Sequence, residues 1–128
     1  MTRKLITSGS YLEPEIGFSR AVRIGNTIAI SGTAPIAVAG GTDGVGDVYR
    51  QTQRCLEIIE TALTSAGASF DDVIRTRVML TEIDSWKEAA RAHGEIFAGI
   101  RPACTFVQVS GFVDPDWLVE LEADAVIA

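Results

Sequence analysis

A chain of 128 residues is long enough for one unit with a sizeable core and too short for a separate regulatory module. With 47% hydrophobic and 22% charged residues and no low-complexity run, its composition is that of an ordinary globular protein rather than a disordered segment. The net charge of -6 and a pI near 4.7, with eleven scattered Lys and Arg, exclude a phosphate-tracking surface, so nucleic acid is not an expected partner.

Residues 19–24 and 27–32 read as two strands around the Gly25-Asn26 turn, a pair that accepts the positive φ of a tight hairpin. A glycine-rich stretch over 37–46 follows. It precedes a helix, but it matches neither a dinucleotide fingerprint nor a phosphate loop with its lysine, and is expected to be a flexible connection. Asp47 then leads an apolar rhythm of Val48, Thr52, Cys55, Leu56, Ile59, Leu63 and Ala66, which predicts an amphipathic helix closed by Gly67.

After the Asp71-Asp72 turn, residues 73–81 alternate as a strand, with Arg75, Arg77 and Met79 on one face and Thr76, Val78 and Leu80 on the other. Asp84 or Ser85 is the expected cap of a second helix. Its inward stripe is predicted as Trp86, Ala89, Ala90, His93, Ile96 and Phe97, ending near Gly99. Two closing strands complete the order ββαβαββ, an α+β sheet with both helices on one face. In the last strand Val119, Leu121, Ala123 and Ala125 share the core face, and Glu120, Glu122 and Asp124 share the other. Without further information that acidic face reads as solvated, although Arg75 and Arg77 could be set against it by a neighbouring strand or subunit.

No apolar run approaches membrane-spanning length, and the two basic residues near the start precede no apolar signal region, so a cytoplasmic location without a membrane partner is expected. Cys55 and Cys104 are far apart and are expected as reduced thiols. One histidine and two distant cysteines give no metal-ligand spacing, so no metal is expected.

Six segments carry a resemblance to a known family: I-G-F-S-R-A at 16–21, S-G-x-x-P at 31–35, the helix end at Ala66-Gly67, V-I-R-T-R-V-M-L at 73–80, R-P-A-C-T-F-V-Q-V at 101–109 and L-V-E-L-E-A-D-A-V at 118–126. Together they resemble the RidA (YjgF) superfamily of small imine and enamine deaminases. The resemblance implies a single RidA-like domain over 1–128, with a chorismate-mutase-like fold of the bacillus type. It also implies a homotrimer whose sheets line a central barrel, and clefts between subunits that bind a small metabolite without a cofactor.

On this resemblance Glu120 aligns with the glutamate that activates the hydrolytic water. C=N hydrolysis needs an acid for the departing nitrogen and a base for water, and one sheltered carboxyl group can serve both. Gly32 is retained as a backbone ligand contact. Cys104 stands where the family has a carboxylate-binding arginine, whose bidentate grip a thiol cannot reproduce. Phe18 replaces a cleft tyrosine, Ala90 a helix asparagine and Phe106 a cleft cysteine. A relocated cation could come from Arg77, foremost, or from Arg20 or Arg101. His93 on the helix stripe reads as a hydrogen-bonded structural residue ahead of a general base, and a Cys104/His93 nucleophilic pair is an arrangement the sequence cannot bring into contact. The expected function is water addition to a small imine, enamine or related metabolite. The alternative is a non-enzymatic ligand-binding or chaperone-like trimer, and ribonuclease activity is disfavoured by the acidic composition.

Overall fold

The computed structural model describes residues 2–128 and has six strands in one sheet: β1 (Arg3–Ile6), β2 (Ala21–Ile24), β3 (Thr27–Thr33), β4 (Val73–Leu80), β5 (Ala103–Gln108) and β6 (Val119–Val126). Helices α1 (Leu12–Ile16), α2 (Val48–Ser65) and α3 (Trp86–Phe97) join them, and the spatial order is β1-β2-β3-β6-β4-β5. The α+β sheet expected from sequence is present. Two short elements precede it that periodicity did not reveal. β1 has only Ile6 buried, so it carries almost no alternation signal, and it forms by pairing along β2. α1 is a five-residue turn held by tertiary contacts: the buried Glu13 carboxylate accepts from the Thr7 and Ser8 hydroxyls and from the Ser8 and Ser10 N–H groups.

β2 and β3 form the expected hairpin, with Gly25 at φ 59° in the turn. β3 and β4 flank β6, both antiparallel to it, and β5 runs parallel to β4 as an edge strand. Strict alternation along β6 buries Val119, Leu121, Ala123 and Ala125 beneath the helices, together with Ile28 and Ile30 of β3 and Val78 and Leu80 of β4. From α2 come Cys55, Leu56, Ile59 and Leu63, at the predicted spacing, and the Asp47 side chain caps the helix by accepting from the Arg50 N–H.

Three expectations need correction. Trp86 does not face inward: it stands in the first turn of α3, 46% exposed, with the Lys87 ammonium 5.9 Å from its ring, and the buried positions are Ala89, Ala92 and Phe97. Neither Asp84 nor Ser85 caps α3 with its side chain; a 3-10 turn over Ile83–Ser85 feeds the helix instead. The glycine-rich connection is tied down rather than loose, with Asp43 bound by both Nε and Nη2 of Arg50 and an isolated bridge between Ile36 and Thr42.

Gln51 shows how the loops are fixed to this core. It is fully buried on α2, its Nε2 donates to the carbonyls of Gly44 and Asp116, and its Oε1 accepts from the Leu118 N–H at 2.8 Å. Replacing it by alanine orphans these groups. Gln51→Ala is expected to cost about 2 to 4 kcal/mol, since each buried unsatisfied group costs roughly 1 to 3 kcal/mol. Urea unfolding checks this, and a loss as small as that of an exposed-site mutant would contradict it.

Candidate functional site

The sheet has a helix-covered face and an open face, and the candidate residues divide between them. The open face carries a ladder set by the β4–β6 register, in which Arg75 opposes Asp124, Arg77 opposes Glu122 and Met79 opposes Glu120. Arg75 Nε lies 3.7 Å from Asp124, and Arg77 Nη1 donates to Glu122 Oε1. Two of the three carboxylates therefore have a cation across the strand. Glu120 faces a thioether instead.

Glu120 is half-buried, and burial raises its carboxyl pKa above the ordinary glutamate value while the charge of Arg20 pulls the other way. Its position is coupled to Gly32. Between Ile30 and Thr33 the β3–β6 register shifts, and there a Cβ on Gly32 would lie 2.9 Å from Glu120 Oε1. What a side chain at position 32 would meet is this carboxyl oxygen, and backbone torsion places no demand for glycine there. The Gly32 carbonyl in turn accepts from Arg20 Nη1 at 2.6 Å, and the same nitrogen reaches Thr33 Oγ1 at 3.0 Å. Arg20, only 4% exposed, also donates from Nε to Ser8 Oγ, and its guanidinium lies 5.3 Å from the Phe18 ring. Burial lowers the Arg20 pKa, against the attraction of Glu13 and Glu120.

On the helix-covered side, at the β5 edge, the second group assembles. Cys104 pairs in register with Thr76, so its side chain shares the face of Thr76. Cys104 Sγ is 3.9 Å from His93 Nε2, and Thr76 Oγ1 is 2.8 Å from the same nitrogen. The half-buried Phe106 ring stands 6.2 Å from the His93 ring, and Phe97 stacks against it at 4.6 Å. Burial lowers the His93 pKa, favouring the neutral ring.

The chain thus brings Cys104, His93 and Phe106 together, and separately Glu120 and Gly32, with Phe18 against the Arg20 guanidinium that holds the Gly32 carbonyl. The expectation that sequence could not join Cys104 to His93 is resolved in favour of contact. Arg77 is engaged by Glu122, Arg20 is a buried clamp, and Arg101 is exposed at φ 60°. Sequence reasoning missed the Thr76 hydroxyl beside His93 and the structural role of Arg20. A charged residue directly preceding the apolar strand run at Ala21 was the available signal for the latter. Among the described residues no group of three or more His, Cys, Asp or Glu side chains is placed to hold a metal, and no helix is long and apolar enough to cross a membrane.

A small α+β protein with a carboxyl group set against a glycine on an open sheet face is a defined class, and comparison with known proteins gives it a family. The family model described as Endoribonuclease L-PSP matches residues 8–127. The crystal structure of Rv2704 from Mycobacterium tuberculosis, described as a member of the YjgF/YER057c/UK114 family, superposes with a TM-score of 0.88 at 41% identity, covering 98% of this chain and 100% of that one. A RutC family protein of Pyrococcus abyssi is 33% identical over 98% of both chains. An uncharacterized Streptomyces coelicolor protein is 37% identical over 94% of this chain and 89% of its own. The chain belongs to the RidA (YjgF) superfamily and has its chorismate-mutase-like fold.

Two consequences follow for Glu120. Gly32→Ala pushes a methyl group onto the far end of a movable side chain, so its stability cost is expected to stay under about 1 kcal/mol, while the carboxyl is displaced. Urea unfolding and a crystal structure of the variant check this. An unmoved carboxyl would contradict the close approach. The second consequence concerns pH. A carboxyl raised on folding contributes most stability below its unfolded pKa of about 4.3 and loses it as pH rises through the folded value. Glu120→Gln is therefore expected to gain stability relative to wild type between pH 4 and pH 7, read from urea midpoints. A constant offset would show that Glu120 is not raised.

Proposed function

We propose that the protein is a homotrimer that adds water to a small imine or enamine in clefts between subunits, releasing ammonia without a cofactor. The observation that carries this reading is the half-buried Glu120 carboxyl with its raised pKa, packed against the Gly32 backbone. Such a group can be protonated at the start of the cycle. It donates its proton to the imine nitrogen, takes one from the attacking water as the C–O bond forms, returns it to nitrogen as the carbinolamine C–N bond breaks, and takes up the hydroxyl proton as the C=O bond forms, which leaves a carbonyl, ammonia and the protonated carboxyl.

The division of residues supports a shared cleft. Cys104, His93 and Phe106 lie on the opposite side of the sheet from Glu120 and Gly32, so one chain cannot place both groups around a single small molecule. β5 is an edge strand on which only Phe106 is half-buried, and the open sheet face is uncovered in the single chain. Packing the open faces of three chains around an axis would cover that surface and bring the β5 edge of one chain toward Glu120 of the next.

The substrate class follows from charge. Cys104 offers no cation, and Arg75 and Arg77 already face carboxylates, so the cleft is suited to a neutral imine rather than a 2-imino acid. Loss of a charge-assisted hydrogen bond to a substrate carboxylate costs about tenfold to a hundredfold in affinity. The same absence of an anchor is what favours the second reading, a trimer that binds ligand without turnover. Neither reading calls on nucleic acid, because the open-face arginines Arg75 and Arg77 each face a carboxylate and the net charge is -6. A cytoplasmic location fits free thiols at Cys55 and Cys104.

The test is ammonia release from imines generated in situ by an amine or amino-acid oxidase, comparing neutral with carboxylate-bearing substrates. Glu120→Ala is expected to reduce turnover at least a hundredfold while the sedimentation of the oligomer is unchanged. Ligand-dependent thermal stabilisation with no ammonia above buffer would support the binding reading. Equal turnover by Glu120→Ala would remove Glu120 from the mechanism.

A further inference from the structure

A second cavity, of about 390 Å³, opens on the helix side between residues 8–11, residues 33–40 and α2, and none of Glu120, Gly32, Cys104 or His93 lines it. We propose that it binds a small carboxylate carrying a short apolar body.

The first argument is charge. The protein has a net charge of -6, yet the charged groups lining this cavity are two guanidinium groups, Arg20 and Arg54, with no carboxylate among them. Two of the acids around these arginines are committed to other donors, and Glu120 acts on Arg20 only through its charge, from the open face. Glu13 accepts from Thr7, Ser8 and Ser10, and Glu57 is shared between Arg50 and Arg54.

The second argument is donor accounting. Arg20 uses Nε for Ser8 Oγ and Nη1 for the Gly32 carbonyl and Thr33 Oγ1. Arg54 uses Nε for the Ile36 carbonyl at 2.7 Å and Nη1 for Glu57 at 3.3 Å. In both residues Nη2 has no hydrogen-bond partner among the described residues. Two oriented guanidinium groups, each held by its other nitrogens and each with a spare nitrogen, are pre-organised donors. They lose little side-chain entropy on capturing an anion.

The third argument is the remainder of the wall. Ile36, Val38 and Ile58 line the cavity, with Tyr11 alongside. A hydrated inorganic ion gains nothing from such a surface, whereas a short alkyl or aromatic body does. One guanidinium end and one apolar end define a carboxylate of a few carbons.

Titration with butyrate, followed by two-dimensional amide NMR on the full-length oligomer, tests the proposal, with butyramide and inorganic phosphate as controls. Saturable shifts are expected at residues 8–11 and 33–40 for butyrate, and much weaker binding for both controls. Arg54→Gln retains a donor for the Ile36 carbonyl but lacks the charge, and is expected to weaken butyrate about tenfold or more. Val38→Asp, at a position 92% exposed where folding is not at risk, sets a carboxylate in the same wall and is also expected to weaken it. The proposal is overturned by absence of saturable shifts, by equal binding of phosphate or butyramide, by shifts confined to residues 103–108, or by unchanged affinity in both variants.

Discussion

The pairing of β6 on both of its edges is the constraint on which the rest depends. The last strand in sequence is an inner strand of the sheet, hydrogen-bonded to β3 on one side and β4 on the other. Its period-two alternation is therefore read twice, once by the helices that cover Val119, Leu121, Ala123 and Ala125, and once by the open face that presents Glu120, Glu122 and Asp124. A slip of one residue would exchange the two sets, burying three carboxylates beneath α2 and α3. Register is fixed by that penalty, and so is the address of each acid.

The three acids on this strand have different fates because their cross-strand partners differ. Glu122 and Asp124 face arginines, which makes the central part of the open face a balanced ladder. Glu120 faces Met79 and packs over Gly32 at the point where the β3–β6 register shifts. A half-buried carboxyl with a thioether opposite, whose pKa burial raises, is the one best placed to exchange a proton during a reaction. Arg20 tempers this without neutralising it. Its Nε and Nη1 are engaged by the Gly32 carbonyl and the Thr33 and Ser8 hydroxyls, and it acts on Glu120 through its charge rather than by a hydrogen bond. Arg20 is also common to the Gly32 backbone and to the helix-side cavity, so one buried residue spans the sheet between two candidate ligand positions.

Much of the fold was legible because it is written in alternation and spacing. The faces of β4 and β6, the α2 stripe and the Gly25-Asn26 hairpin need no tertiary information. What was hidden depends on contacts between distant segments. β1 and α1 are too short to show a period and exist by pairing with β2 and by hydrogen bonds to Glu13. Trp86 fits the apolar stripe of α3 in spacing, but stands in its first turn with the side chain exposed. Gln51, a polar residue on the buried stripe, reads as an interruption until its three partners from residues 44, 116 and 118 are in place. The candidate site was legible residue by residue but not in its geometry. Sequence named Cys104 and His93 but could not bring them within 3.9 Å, and it offered Arg77 as a free cation when the β4–β6 register hands it to Glu122.

The account rests on burial raising the pKa of the Glu120 carboxyl, since a carboxyl that ionised like an exposed one would be a poorer proton donor to an imine. Carbon-detected NMR titration of the Glu120 side-chain carboxyl in the intact protein measures this directly. An apparent pKa clearly above the ordinary value of about 4.3, falling back toward it when Gly32→Ala displaces the carboxyl, is the result predicted. A value at or below the ordinary one in the wild type would contradict the account.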